Sequence, residues 1–394
     1  MPCSSIDIFC HCIDNFGDAG VAYRFAAEFK AANAECRVRV FIDELQVLSE
    51  IADEIDAAKD VQVCGGITYV NTLSLDRELI ASLGVAEVMV EIFACHIPEP
   101  LLEIAYERSR LIINLEYFSA EEWVEGYHLK ESLLGRGAVR KFFFMQGVRE
   151  GTGGIIINSA LKKLRDSTGG IDQLKVINDT VSPFGITVSP DDNTLTGTVF
   201  TYERGFDTLL ADLAALKHPV ILLIFGAKSQ RGMSATLARL GVNGPYQHSI
   251  YKNIRLLYTP FIAQHAYDTL LCCTDFNIVR GEDSLARALL SGKPFIWNAY
   301  IQDEKYQRVK VEALLKTMRP FYKNYDNHES YSDLTLRFND ADSESPFQTT
   351  GERYADFFNN LKKYERTAVD IYYFMETNCN LIEKFCCFLK GEFL

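Results

Sequence analysis

The sequence predicts an α/β protein built as two separate parallel-sheet domains, and three observations predict it. The chain opens in β–α–β order, which a right-handed crossover turns into parallel strands. A stretch rich in turn formers, Val181 to Asn193, interrupts it with Pro183, Gly185 and Pro190, as an interdomain linker does. A second alternating series then runs from Thr196 to Trp297. At 394 residues the chain is also longer than one hydrophobic core usually serves.

In order, Ile6 to Ile13 is a short, mostly apolar run of the kind found in a central parallel strand. It ends in the loop Asp14-Asn15-Phe16-Gly17-Asp18-Ala19-Gly20. Val21, Phe25 and Phe29 fall four apart, so a helix is expected from Val21 to Ala32. Strands follow at Cys36 to Ile42, Val61–Val63, Val88–Ile92 and Leu111–Asn114. Beyond the linker come strand Thr196–Phe200, helix Phe206–Leu216, strands Val220–Phe225 and Ile254–Tyr258, helix Ala266–Cys273 and strand Phe276–Val279. The polar region Asp326 to Gln348 is expected to be irregular, and Tyr354 to Leu394 helical. No repeat of fixed period occurs. The domains expected are 1–180 and 194–371, with a final helix at about 372–394 returning to the first.

Composition narrows the function. Hydrophobic residues make up 48% and charged residues 24%, the balance of a globular protein. A net charge of −13 argues against a nucleic-acid partner, which calls for a basic stripe, and favours a cationic one. No signal peptide is read at the N-terminus and no apolar run is long enough to span a bilayer. The 11 cysteines are scattered without a C-x-x-C, which reads as reduced thiols in a cytoplasmic protein.

The most informative stretch is Val279-Arg280-Gly281-Glu282-Asp283-Ser284, between an apolar run and the amphipathic segment Leu285 to Leu290. Strand, tight turn and helix in that order leave helix N–H groups and the positive end of the dipole facing outward. Such a helix start suits a phosphate, and Arg280 adds a planar cation. In open α/β sheets ligands bind beyond the carboxyl ends of strands. The loops at Asp14–Gly20, Glu91–Cys95 and Asn114–Glu122 are therefore the other candidates. Asp340-Ala341-Asp342 has the spacing that some sugar transferases use for a metal, but no strand presents it, so no metal site is expected.

Several of these motifs together resemble the EarP family of bacterial protein-arginine rhamnosyltransferases, which modify elongation factor P. They are Ile13 to Val21, Ile92-Phe93-Ala94-Cys95, Glu116-Tyr117-Phe118-Ser119-Ala120-Glu121-Glu122 and Arg280-Gly281-Glu282-Asp283-Ser284, with Gly292 to Trp297 and Tyr300 to Glu304. The resemblance implies a GT-B glycosyltransferase, two Rossmann-like domains facing across a cleft. It implies TDP-β-L-rhamnose as donor substrate with no cofactor, inversion at the sugar, and elongation factor P as acceptor.

By the same resemblance Asp18 is the general base and Asp14 helps hold the acceptor arginine. The alternative is that both shape the turn or cap the helix. Glu282 matches a residue needed for activity, though a first-turn acid also simply complements the dipole. Arg280 and the amides of Asp283 and Ser284 would neutralise the leaving diphosphate. Asn15, Phe16, Gly17 and Gly281 belong to the same substrate-binding turns. Phe200, Tyr202, Phe261, Gln264, Tyr267 and Tyr300 match the nucleotide and sugar pocket. Glu116 and Tyr117, with Glu121 and Glu122, lie on the acceptor side, where a solvated acidic face is the alternative. Leu115, His265, Ala266 and Ile301 depart from the family pattern and leave every proposed charged position intact. Two other functions fit the same residues: a sugar-nucleotide transferase with a different acceptor, and a non-catalytic sugar-nucleotide-binding protein.

Overall fold

A computed structural model describes residues 3–13, 16–133, 138–167, 170–189, 193–242, 248–340 and 350–393. The chain forms two compact units, 1–160 with 375–394, and 161–374. Each is built around one twisted sheet.

The first sheet has eight strands: β1 (Ser5–Cys10), β2 (Arg37–Ile42), β3 (Val61–Cys64), β4 (Ile67–Asn71), β5 (Val88–Ile92), β6 (Leu111–Ser119), β7 (Glu131–Ser132) and β8 (Arg140–Gly147). Their spatial order is β3-β4-β2-β1-β5-β6-β8-β7. The edge strands β3 and β7 pair antiparallel, and the interior pairs are parallel. β1 lies at the centre with all six residues buried. Its alternation divides the core, with Ile6, Ile8 and Cys10 on one face and Phe9 on the other, as the period of two requires. The helix Phe16–Ala32 and the C-terminal helix Leu381–Phe393 cover the first face, where Phe385 meets Phe25 and Phe29 edge-on at 5.1 and 5.8 Å. Within the sheet Asp7 faces Arg39 on β2 in register. Two guanidinium N–H groups donate to its oxygens at 2.7 and 2.6 Å, and Ala86 N–H adds a third bond at 2.9 Å. The buried charges are thereby paired and hydrogen-bonded, as burial demands.

The second sheet has six strands: β9 (Leu195–Phe200), β10 (Val220–Phe225), β11 (His248–Tyr251), β12 (Ile254–Thr259), β13 (Phe276–Arg280) and β14 (Phe295–Asn298). Their order is β11-β12-β10-β9-β13-β14. Here the interior polar link is neutral. Thr198 and Thr274 donate to Asn277 Oδ1 at 2.7 and 2.8 Å, and the Asn277 amide donates to Leu271 O at 2.9 Å.

The structure adds strands β4, β7, β8 and β11, which the sequence reading did not place, and differs from it in four further places. The first helix begins at Phe16, not Val21, so Asp18 lies in its first turn. β6 runs to Ser119 with an irregularity between Glu116 and Ser119, so Glu116 and Tyr117 sit in a strand, not in a loop. Tyr325–Phe338 is a helix. Its polar residues cover the outside, while Tyr331, Leu334, Thr335 and Phe338 bury one stripe at helical spacing. Finally, the units divide between Ala160 and Leu161, ahead of the expected linker. The helix Gln173–Val181 belongs to the second unit because Ile177 and Val181 pack on Ile221 and Leu223 of its sheet. The return to the first unit falls inside the helix Leu361–Asn378, between Phe374 and Met375. Among the described residues no helix is long and apolar enough to cross a membrane.

Candidate active site

The carboxyl edge of the second sheet is shaped by two glycines. At the end of β13, Gly281 takes φ +64°, a backbone that side chains disfavour, and begins the helix Gly281–Ser291. A Cβ there would come within 3.2 Å of the Tyr202 hydroxyl. The turn is fixed from behind by Trp297, whose indole N–H donates to Gly281 O at 2.9 Å. Arg280 precedes it and makes no capping hydrogen bond to the first turn. Its guanidinium lies over the rings of Phe200 and Tyr202, 4.3 and 5.1 Å from their centroids, and donates to Thr201 O at 3.3 Å. Stacking on two aromatic faces holds a cation without cancelling its charge. At the end of β10, Gly226 takes φ +77°, and a Cβ there would run into the Phe200 ring at 2.6 Å.

Around this turn the expected pocket residues gather in one unit. Phe200 ends β9 and meets Phe261 and Tyr267 edge-on, each at 6.2 Å. Phe261 is exposed, and Tyr202 is buried with Tyr300 edge-on at 5.3 Å. Burial pushes the Tyr267 hydroxyl above its usual pKa range. Gln264 opens the helix Gln264–Leu271, and its buried Oε1 has no hydrogen-bond partner among the described residues. Ser284 is buried in the first turn after Gly281. Arg287 Nε lies 3.8 Å from Asp283, and Lys310 of the helix Tyr306–Met318 donates to Glu282 Oε1 at 3.1 Å.

The carboxyl edge of the first sheet is acidic. Asp18 is 2% exposed, and its Oδ2 accepts from Ile13 N–H at 2.8 Å. Phe16 and Gly17 share that first helical turn, while Asp14 and Asn15 lie outside the described residues. The next amide back, Cys12 N–H, donates to Asp43 Oδ1 at 3.0 Å, and the other oxygen of Asp43 meets His11. Glu116 accepts from the Asn114 amide at 2.6 Å. The exposed Tyr117 ring stacks on Phe93 at 3.7 Å with planes 8° apart. Glu121 is buried and bonded to the Ser119 hydroxyl at 3.0 Å, and Glu122 pairs with Arg149 at 3.5 Å. These acids therefore include anchored groups as well as solvated ones. Of the D-x-D spacing, Asp340 pairs with Lys305 at 3.1 Å, and Ala341 and Asp342 lie outside the described residues.

The model of the family described as "Elongation-Factor P (EF-P) rhamnosyltransferase EarP" matches residues 6–390. The chain belongs to the EarP family. It is an enzyme, a glycosyltransferase of the protein-arginine rhamnosyltransferase class. A protein-arginine rhamnosyltransferase of Pseudomonas aeruginosa is 33% identical over 322 residues, 79% of this chain and 81% of that one. One from Neisseria meningitidis serogroup B is 30% identical over 324 residues, 80% and 79% of the two chains. Among solved structures, one from work on EarP-mediated arginine glycosylation of translation elongation factor EF-P aligns with TM-score 0.61 at 20% identity, covering 98% of this chain and 99% of that one. A ugt transferase from Siraitia grosvenorii in complex with UDP aligns with TM-score 0.51 at 10% identity, covering 99% and 100%. At such identities the likeness is one of fold, the GT-B architecture.

Within this EarP-family fold, sequence reasoning missed three contributors. Trp297 reads as a strand residue, and only the tertiary fold turns its N–H to Gly281 O. Lys310 sits in an ordinary helical pattern with no signal at all. Phe93 lies in the Ile92–Cys95 motif, but its left-handed backbone, φ +57° and shared with Ala94 at +53°, leaves no mark in the sequence.

Proposed function

We propose that this enzyme transfers L-rhamnose from TDP-β-L-rhamnose to an arginine side chain of elongation factor P, with inversion at the sugar carbon. The observation that carries the reading is the Arg280–Ser284 turn. A stacked guanidinium and an uncapped helix start converge where a nucleoside diphosphate's negative charge needs support. The aromatic rings of Phe200 and Phe261 give a thymine flat surfaces to pack on, and the backbone of Gln264, at the start of the next helix, contacts the base. Tyr267 and Tyr300 complete the walls of this pocket. The amide of Ser284 and that of Asp283 belong to the diphosphate cradle, and Glu282 contacts the rhamnose.

The acceptor chemistry rests on the acids of the first unit. A guanidinium arrives protonated, so its attack on the anomeric carbon must release one proton as the C–N bond forms and the C–O bond to the diphosphate breaks. Asp18 is the base we assign, its carboxylate oriented by the Ile13 amide. Asp14, Glu116 and Tyr117 hold the arginine. The positive charge on the leaving diphosphate's side comes from Arg280 and the helix dipole, so the reaction as proposed uses no metal. We also place the enzyme in the cytoplasm. Its 11 cysteines are scattered without a C-x-x-C, the pattern of reduced thiols in that compartment.

The test is direct. Purified enzyme is incubated with TDP-rhamnose and elongation factor P, and the factor is weighed by mass spectrometry. The expected result is the gain of one deoxyhexose, located on an arginine by fragmentation. No gain on a folded factor, with sugar transferred to another added acceptor, would overturn the acceptor assignment.

A further inference from the structure

The first turn of the helix Gly281–Ser291 carries two acids, Glu282 and Asp283, at the helix start that the proposed donor occupies. A first-turn carboxylate favours the helix dipole but repels a diphosphate arriving at the same amides. Each acid is tied off by a cation. Arg287, one turn further along, lies 3.8 Å from Asp283. Lys310 comes from a different helix, Tyr306–Met318, and its Nζ donates to Glu282 Oε1 at 3.1 Å. The two side chains are 23% and 21% exposed. Their attraction is thus less screened than that of an open surface pair. Arg280, Arg287 and Lys310 against Glu282 and Asp283 leave one positive charge at the turn, and removing Lys310 leaves none.

We propose that Lys310 is a positioning residue of the donor site: it fixes the Glu282 carboxylate and cancels its charge, so that this acid and a nucleoside diphosphate can share one helix start. The inference rests on the donor reading given above. It explains how an acid is kept beside the leaving group without weakening the binding of that group. It also assigns the lysine to Glu282 rather than to the phosphates, and that distinction can be measured.

The experiment is a double-mutant cycle on the full-length enzyme, with TDP titrated by calorimetry. Lys310→Met should weaken TDP at least about fivefold, because a partly buried carboxylate is left uncompensated beside the anion. Glu282→Gln alone should bind TDP as well as or better than the unmodified enzyme. The double variant should recover to within about threefold of the unmodified enzyme, the sign of coupling expected when one charge exists to cancel the other. Lys310→Arg should retain affinity. Recovery in the double variant also shows that the lysine change does not unfold the site. The proposal is overturned if Lys310→Met binds TDP normally. It is equally overturned if the double variant stays as weak as Lys310→Met, which would make the lysine a direct phosphate ligand. Should the unmodified enzyme bind a different nucleoside diphosphate in place of TDP, the donor reading falls, and the same cycle with that nucleotide still decides the role of Lys310.

Discussion

The order of the first six strands, β3-β4-β2-β1-β5-β6, recurs in the second sheet, and the two sheets carry opposite chemistry at their carboxyl edges. The first presents Asp18, Asp43 and Glu116, held by backbone or amide N–H groups. The second presents Arg280 stacked on Phe200 and Tyr202, with Lys228 also 5.5 Å from the Tyr202 ring. Parallel strand ends offer the same positions in both units, so fold alone cannot separate a unit that takes a cation from one that takes an anion. The separation lies in which side chains close each strand.

The largest expected effect falls on the acidic edge. Asp18→Asn should lower transfer to elongation factor P by about 10²–10⁴-fold, the range for losing a general base. TDP affinity should stay within about twofold, since the donor is assigned to the other unit. If TDP binding fell together with turnover, Asp18 would be a turn-shaping residue and the contrast between the edges would fail. The cationic edge should respond the other way. Arg280→Ala should weaken TDP by about 1.5–3 kcal/mol, the usual contribution of a charged hydrogen bond, as read by calorimetry without any acceptor present. Unaltered TDP affinity would remove Arg280 from the diphosphate site.

The central strands also differ in what they bury, and the first unit holds a histidine whose titration bears on folding. Across its central strands the second sheet relies on the neutral Thr198–Asn277–Thr274 link. The first unit half-buries His128 against Phe144, with the Met145 N–H donating to its Nδ1 at 3.2 Å. Burial, and then the nearby Lys384, lowers its pKa from 6.5 to about 4. Between those values the unfolded chain binds a proton that the folded chain does not. The contribution is therefore complete above about pH 6.5, is lost as the pH falls towards 4, and changes no further below that. The loss should reach about 1–3 kcal/mol. Urea unfolding from pH 7 to 4 should show this slope, and His128→Gln should flatten it; an identical slope in the variant would exonerate the histidine.

The central strands of both units were legible because they are continuous apolar runs between turn formers, whereas β4, β7, β8 and β11 were not read. The tight turn after β13 was legible because Gly281 and Arg280 sit at a strand end. What escaped has physical causes. The helix Tyr325–Phe338 hides its apolar stripe among acids and serines. Asp18 was read into a loop because Gly17 and Gly20 resemble turn formers, although the helix already runs through them. The Lys310–Glu282 and Trp297–Gly281 contacts join residues far apart in sequence, and no local pattern encodes such pairs.

The smallest effect concerns backbone strain, and here too the edges differ. At the carboxyl ends of β10 and β13 the second sheet places left-handed glycines, Gly226 and Gly281, where a Cβ would strike Phe200 or crowd Tyr202. The first sheet instead places Phe93 and Ala94 at φ +57° and +53° directly after β5. Three bonds hold that turn: Phe93 N–H to Leu115 O at 2.8 Å, Ala94 N–H to Asn114 Oδ1 at 2.9 Å, and the Cys95 thiol to Phe9 O at 3.0 Å. Each left-handed alanine costs about 1–2 kcal/mol, part of which a glycine returns as unfolded-state entropy. Ala94→Gly should therefore stabilise the first unit by about 0.5–1 kcal/mol in urea unfolding and leave transfer unchanged. The three bonds, not the strain, fix the Phe93–Tyr117 stack. Loss of activity in a more stable variant would show instead that the strained turn is itself part of the acceptor site.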